Sequence, residues 1–151
     1  MKNIAVFPGS FDPFTLGHKN IVDRSLSLFD EIIIAIGSNS NKKNLFPIDK
    51  RIEWIRQLFK DESKIKVDTY QGLTTAYCQR QNARFILRGL RNPADFEFEK
   101  SIASMNAAMS PEIESVFLIA KPEHSGISST IIREIIQNGG DVSKFIPYDL
   151  Q

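Results

Sequence analysis

Short apolar runs alternate along this chain with segments whose apolar residues recur every three or four positions. The runs lie at 3–7, 31–37, 65–70, 84–88 and 115–119, and the periodic segments at about 17–29, 49–60, 74–82, 94–109 and 129–137. The first kind predicts strands and the second helices. In the first helical segment Ile21, Ser25 and Leu28, then Val22, Leu26 and Phe29, share one face each. In the second, Ile52, Ile55 and Phe59 align, flanked by Trp54 and Leu58, with Asp49 just after Pro47 as the expected cap. The run Glu31-Ile-Ile-Ile-Ala-Ile-Gly37 is nearly all apolar, as in a central strand covered on both faces. Strict alternation of the two kinds predicts an α/β chain with a Rossmann-like, doubly wound, five-stranded parallel sheet in a single domain, 1–151. Residues 138–151 are expected to add a turn and a short tail.

Composition changes this picture little. The 151 residues are 42% hydrophobic and 25% charged, ordinary values for a globular domain with a real core. With 19 basic against 18 acidic residues there is no global field to draw in nucleic acid or an anionic membrane, and neither is expected as a partner. Anion binding must come from local placement. A single cysteine, Cys78, cannot form an intramolecular disulfide and fits a reducing compartment. Within a helical segment it reads as a small buried hydrophobe. No signal-peptide progression or membrane-length apolar stretch is seen, so a cytoplasmic location is expected.

In an open parallel sheet, ligands bind beyond the carboxyl ends of the strands. The loops there contain Ser10 to His18, Ser38 to Leu45 with Lys42 and Lys43, Gln71 to Thr75, Arg88-Gly-Leu-Arg91, and Glu123 to Thr130. The first, Phe7-Pro-Gly-Ser-Phe-Asp-Pro-Phe-Thr-Leu-Gly-His18, is a strand-to-helix turn whose amides form a ready anion site with a histidine on the first helical turn. Near the other end, Gly126-Ile-Ser-Ser-Thr-Ile-Ile-Arg133 repeats a small, polar helix start, as a second wall of one phosphate site. Arg88 and Arg91 suit bidentate fixing of oxyanions, with Gly89 expected to permit a tight turn that aims both inward.

The chemistry that is missing narrows the class. There is no catalytic triad, no Cys/His metal cluster, no GxxxxGK[ST] and no GxGxxG, so no protein-held metal, P-loop or dinucleotide redox site is expected. Cations, hydroxyls and one histidine without a strong base suit nucleotidyl transfer. There, an acceptor phosphate is already largely ionised at neutral pH, its second pKa being ~6, and needs only alignment and charge stabilisation.

Thr15-Leu-Gly-His18 resembles the T/HxGH motif of the nucleotidylyltransferase superfamily, and Ile127-Ser-Ser-Thr-Ile-Ile-Arg133 resembles its ISSTxxR motif. The fuller turn, with Arg88-Gly-Leu-Arg91, Ala94-Asp-Phe-Glu-Phe-Glu99, Met105-Asn106 and Glu114-Ser-Val-Phe-Leu118, is similar in register from residue 3 to about 148 to the bacterial phosphopantetheine adenylyltransferase family. The resemblance implies transfer of AMP from ATP to 4'-phosphopantetheine, giving dephospho-coenzyme A and pyrophosphate with Mg²⁺, in a cytoplasmic homohexamer. It implies that Ser10, Phe11, His18, Gly89, Leu90, Arg91, Glu99 and the stretch His124, Ser125, Gly126, Ile127, Ser128, Ser129 and Thr130 meet ATP. The acceptor would be held by Ser10, Lys42, Thr74 and Arg88, and catalysis would rest on His18, Lys42 and Arg88. Three positions depart from the commonest family pattern: Ser10 for threonine, Phe98 for tyrosine, and His124 for a larger aromatic.

Other acceptors and roles make different demands. Nicotinamide mononucleotide adenylyltransferases and glycerol-phosphate cytidylyltransferases are the nearest enzyme alternatives, and Arg88-Gly-Leu-Arg and Asp95-Phe-Glu-Phe-Glu count against both. A non-catalytic nucleotide sensor on the same fold would not need His18 together with Ser128 to Thr130. The apolar positions Phe96, Phe98, Ile102, Met105 and Met109 exceed one buried stripe, which predicts a contact between copies or a wall for an organic acceptor.

Overall fold

The computed structural model describes residues 1–38 and 43–150. Its elements follow the predicted alternation: β1 (Ile4–Gly9), α1 (Leu16–Ser25), β2 (Glu31–Gly37), α2 (Ile48–Leu58), β3 (Ile65–Tyr70), α3 (Thr74–Arg80), β4 (Phe85–Leu90), α4 (Pro93–Met109), β5 (Glu114–Ile119) and α5 (Ser129–Gln137). The sheet order is β3-β2-β1-β4-β5, and every pairing is parallel. The chain therefore forms a single α/β domain whose strand order reverses between β1 and β4, where such sheets bind ligands.

The period-two alternation of β2 divides the core. Ile32, Ile34 and Ile36 join Phe7, Ile21, Val22, Ile55 and Phe59 on the face covered by α1 and α2. Ile33 and Ala35 join Val6, Ile86, Tyr77 and Cys78 on the other face. Every side chain of β2 from Ile32 to Ile36 is at most 2% exposed, as expected for a strand covered on both sides. Cys78 is fully buried. The segment after α5 is more than a tail: Val142 and Ile146 form their own cluster with Ile132.

Two local expectations are corrected. Helix α2 begins at Ile48 with Pro47 in the cap position and no side-chain cap, and Asp49 stands in the first turn. There a carboxylate still complements the helix dipole. Gly89 lies inside β4 rather than in a tight turn. Its missing side chain is explained by space: a Cβ there would come within 3.1 Å of Ile21 Cγ1, so glycine lets α1 sit close on the sheet.

The ladder between β1 and β4 carries only the pairs Ala5↔Phe85 and Val6↔Ile86, against six pairs between β1 and β2. Beyond Val6 the two strands part. The gap opens toward their carboxyl ends, and the candidate site occupies it.

Candidate active site

Two cavities meet in this gap. The larger, about 510 Å³, is lined by the turn after β1, the end of β4, the start of α4 and the start of α5. The smaller, about 190 Å³, runs from Tyr70 and Thr74 past Ile102 and Asn106 to Phe117. Both are walled by Pro8, Gly9, Arg88 and Glu99. Their common boundary is an ion pair. Arg88 Nε and Nη2 donate to Glu99 at 3.1 and 2.7 Å, and Nη1 donates to the Pro8 carbonyl across the parted strands. A planar fork held on three acceptors has little freedom left, so it is fixed before any substrate arrives.

His18 is built into the first turn of α1. Thr15 is the N-cap: its hydroxyl accepts from the His18 amide at 3.2 Å, and its own amide donates to His18 Nδ1 at 3.0 Å. This reciprocal pairing satisfies two otherwise free donors. Because Nδ1 accepts, the proton of the neutral ring lies on Nε2. The rings of Phe7, Phe11 and Phe14 surround the imidazole at centroid distances of 6.1, 5.0 and 5.2 Å. Burial among them, then the positive charges of Arg88 and Arg91, pull its pKa from 6.5 down to about 3. The side chain still lines the larger cavity. It is a neutral hydrogen-bond donor aimed at whatever binds there.

Phe11 is held with φ at +47°, a strained region for a bulky residue. Its ring lies on Gly9, where a Cβ would come within 2.9 Å of Phe11 Cζ. Phe11 is 3% exposed and packs in the core while also lining the cavity.

The predicted hydroxyls are already engaged. Ser128 is the N-cap of α5 and accepts from the Ile131 amide. Ser129 Oγ donates to the Pro13 carbonyl at 2.9 Å, and Thr130 Oγ1 accepts from Arg133 at 3.2 Å. Arg133 also donates to the Asp12 carbonyl, so α5 is stitched to the turn after β1. Ser129 thereby commits its proton to Pro13, while Ser128 and Thr130, acceptors in these bonds, keep theirs; α5 offers an anion those hydroxyls together with its N-terminal amides.

The predicted residues divide plainly. Ser10, Phe11, His18, Gly89, Arg91, Glu99, His124, Ile127, Ser128, Ser129 and Thr130 line the larger cavity, while Thr74 lines the smaller and Arg88 both. Leu90, Ser125 and Gly126 stand off both walls. Lys42 lies outside the described residues. Arg91 reaches the cavity but is paired with Asp95 at 3.2 Å and donates to the Ile127 carbonyl. His124 Nδ1, beside Gly17, is buried and finds no hydrogen-bond partner among the described residues.

Sequence reasoning missed Tyr70, Asp95 and Asn106 as wall residues, and it missed Arg51. The guanidinium of Arg51, 3% exposed, donates to the Ser10 and Phe46 carbonyls at 2.6 and 3.0 Å. Tyr70 had a usable signal, since it ends β3 at the ligand-binding edge and donates to or accepts from Thr74 at 2.8 Å. Arg51 had none, because a charge within an amphipathic helix ordinarily faces water.

The fold and this site define a class: the cytidylyltransferase-like family matches residues 6–135. Solved structures share the fold. A putative nicotinate-nucleotide adenylyltransferase from Vibrio parahaemolyticus superposes with a TM-score of 0.71 at 24% identity, over 98% of this chain and 95% of that one. A bifunctional NMN adenylyltransferase/ADP ribose pyrophosphatase from Francisella tularensis gives 0.74 at 19% identity, covering 97% of this chain and 45% of that one. Curated relatives narrow the class. Phosphopantetheine adenylyltransferases from Christiangramia forsetii and Flavobacterium psychrophilum are 54% and 55% identical over 95% of this chain and 94% of theirs. One from Leptospira biflexa is 51% identical over 97% of this chain and 92% of its own. The chain belongs to the phosphopantetheine adenylyltransferase family.

Proposed function

We propose that this enzyme transfers the adenylyl group of ATP to 4'-phosphopantetheine, giving dephospho-coenzyme A and pyrophosphate. The observation that carries the reading is the junction of two cavities at Arg88, with the neutral His18 above the larger one. The larger suits a nucleotide and the smaller an extended organic arm. An acceptor phosphate held by Arg88 would then meet the α-phosphorus where the two join. Thr74 and Lys42 would complete the acceptor's binding. Ser10, Phe11, Gly89, Arg91, Glu99, His124 and residues 127–130, which line the larger cavity, would hold ATP.

The reaction asks for positioning and charge stabilisation. One oxygen of the ionised acceptor phosphate attacks the α-phosphorus, the bond from that phosphorus to the β-bridging oxygen breaks, and its electron pair leaves with pyrophosphate. No proton has to be removed from the nucleophile. His18 Nε2–H donates to an oxygen whose charge grows in the transition state, and the amides of α5 receive the leaving phosphates. Removal of water by the phenylalanine cage strengthens the histidine's contribution.

Mg²⁺ is proposed to enter with the nucleotide, neutralising the leaving pyrophosphate. Asp95 and Glu99, the carboxylates on the cavity wall, are engaged by Arg91 and Arg88. Among the described residues no group of three His, Cys, Asp or Glu side chains could hold a metal. An ion of this kind is commonly carried by substrate phosphates and water.

We also propose a cytoplasmic homohexamer of two trimers. No helix among the described residues is long and apolar enough to cross a membrane. On α4 only Glu99 is buried, while Phe96, Phe98, Ile102, Met105 and Met109 are 40–66% exposed, a surface suited to another copy. Sedimentation at micromolar protein checks this, and a single species near the 17.1 kDa chain mass overturns it. For the reaction, ATP with phosphopantetheine should release pyrophosphate, and ATP with nicotinamide mononucleotide should not. The reverse pattern, or no release, rejects the proposed acceptor.

A further inference from the structure

The segment after α5 returns to the turn that carries the histidine. The Leu16 amide donates to the Phe145 carbonyl at 2.9 Å, and the Phe14 amide donates to Tyr148 Oη at 3.0 Å. Phe14 is fully buried, so its amide depends on this phenol for a partner; a buried donor left without one is costly. The next amide along the chain, that of Thr15, is the one that holds His18 Nδ1. The tyrosine ring stacks on Trp54 at 5.4 Å and 21°, and Trp54 meets the ring of Phe46 edge-on at 5.1 Å. Phe46 ends the stem of the loop between β2 and α2, and its amide and that of Leu45 donate to the Asp12 carboxylate at 2.9 and 2.8 Å.

We propose that Tyr148 is a positioning residue for adenylyl transfer: its hydroxyl sets the Phe14–Thr15 backbone that orients His18, and its ring, through Trp54 and Phe46, sets the stem of the β2–α2 loop. The inference rests on the adenylyl-transfer reading. One side chain thereby ties together the turn that carries His18, by a hydrogen bond, and the stem of the β2–α2 loop, by stacking. Burial keeps the phenol in its neutral form, with its pKa above the ordinary tyrosine range. The hydroxyl thus has a structural task at the buried Phe14 amide, and through the neighbouring Thr15 amide it bears on His18 as well.

Two variants separate hydroxyl from ring. Tyr148→Phe keeps the stack and should lower kcat about 5–10-fold with both KM values within about twofold, since only orientation in the transition state is lost. The ring-nitrogen resonances of His18 should shift or broaden, while Trp54 emission, the chain's single tryptophan, stays unchanged. Tyr148→Leu, which also removes the stack, should lower kcat further and change Trp54 emission. Val142→Ala, in the same C-terminal cluster, should lower the melting temperature with kcat within about twofold of wild type. Wild-type kcat and His18 resonances in Tyr148→Phe, or an equal loss of kcat in Val142→Ala, overturn the proposal. Should Tyr148→Leu not fold, Tyr148→Phe decides. Should the wild type make no pyrophosphate from these substrates, the proposed function fails, and the His18 resonances of Tyr148→Phe still decide whether the phenol positions the ring.

Discussion

The main-chain amide of Thr15 donates to Nδ1 of His18 at 3.0 Å, which leaves the proton of this cavity-lining ring on Nε2. A group held this way is spent on the transition state rather than on ground-state binding. His18→Ala should lower kcat by ~10²–10³, the loss typical of removing one preorganised donor. The dissociation constant for ATP should change by less than about threefold. Turnover near wild type would remove His18 from the mechanism.

The same residue links pH to stability. Its folded-state pKa of about 3 lies below the ordinary 6.5. Between those values the unfolded chain takes up a proton that the folded chain does not. The stability this supplies is complete above about pH 6.5 and is lost as the pH falls toward 3. Denaturant midpoints at about pH 7 and pH 4.5 should therefore fall less steeply in His18→Gln than in wild type. Equal slopes would place the acid sensitivity elsewhere.

Arg88 touches both cavities, and its value lies in a fork rather than in a charge alone. Arg88→Lys keeps the charge but cannot span Glu99 and Pro8 together. Acceptor KM should rise about 10–100-fold, the scale of one or two charge-assisted hydrogen bonds, with a much smaller change for ATP. Pantetheine lacking its phosphate should show no adenylyl transfer, having neither nucleophile nor anchor. Transfer to pantetheine would contradict this.

Gly9→Ala tests the support beneath the histidine. The new methyl would overlap the Phe11 ring, whose contact with His18 is edge-on at 5.0 Å. We expect a stability loss of about 1–3 kcal/mol, as for other overpacked cores. Turnover should fall as well, read by chemical denaturation and pyrophosphate release. Unchanged turnover at reduced stability would show that the cage tolerates movement of Phe11.

Much of this was legible from local pattern. The all-apolar run at Ile32–Ile36 announced a central strand, and the spacing of Ile21 and Val22 announced the face of α1 that meets it. The motifs around His18 and Ser128 gave the two ends of the site because each is a strand-to-helix turn with its own signature. What escaped depends on contacts without local pattern. Nothing near Tyr148 indicates that its hydroxyl will meet the amide of Phe14, more than a hundred residues away. Ser129 and Thr130 read as phosphate donors because their types suit that task. The structure commits the Ser129 proton to the Pro13 carbonyl, which only the docking of α5 on the first turn could reveal, while Thr130 accepts from Arg133 one turn on in the same helix and keeps its own proton. Gly89 read as a turn residue for the same reason: crowding by Ile21 is a tertiary fact.

That crowding carries a further meaning. Helix α1 bears His18, and Gly89 shares its strand with Arg88, one residue away. The height of the helix above the strand therefore acts as a spacer between the histidine and the arginine. At Gly89 the spacer is a single hydrogen atom. A methyl in its place would press on the Ile21 side chain, which would have to give by a few tenths of an ångström, so the gap between histidine and arginine is gauged by the thinnest residue available.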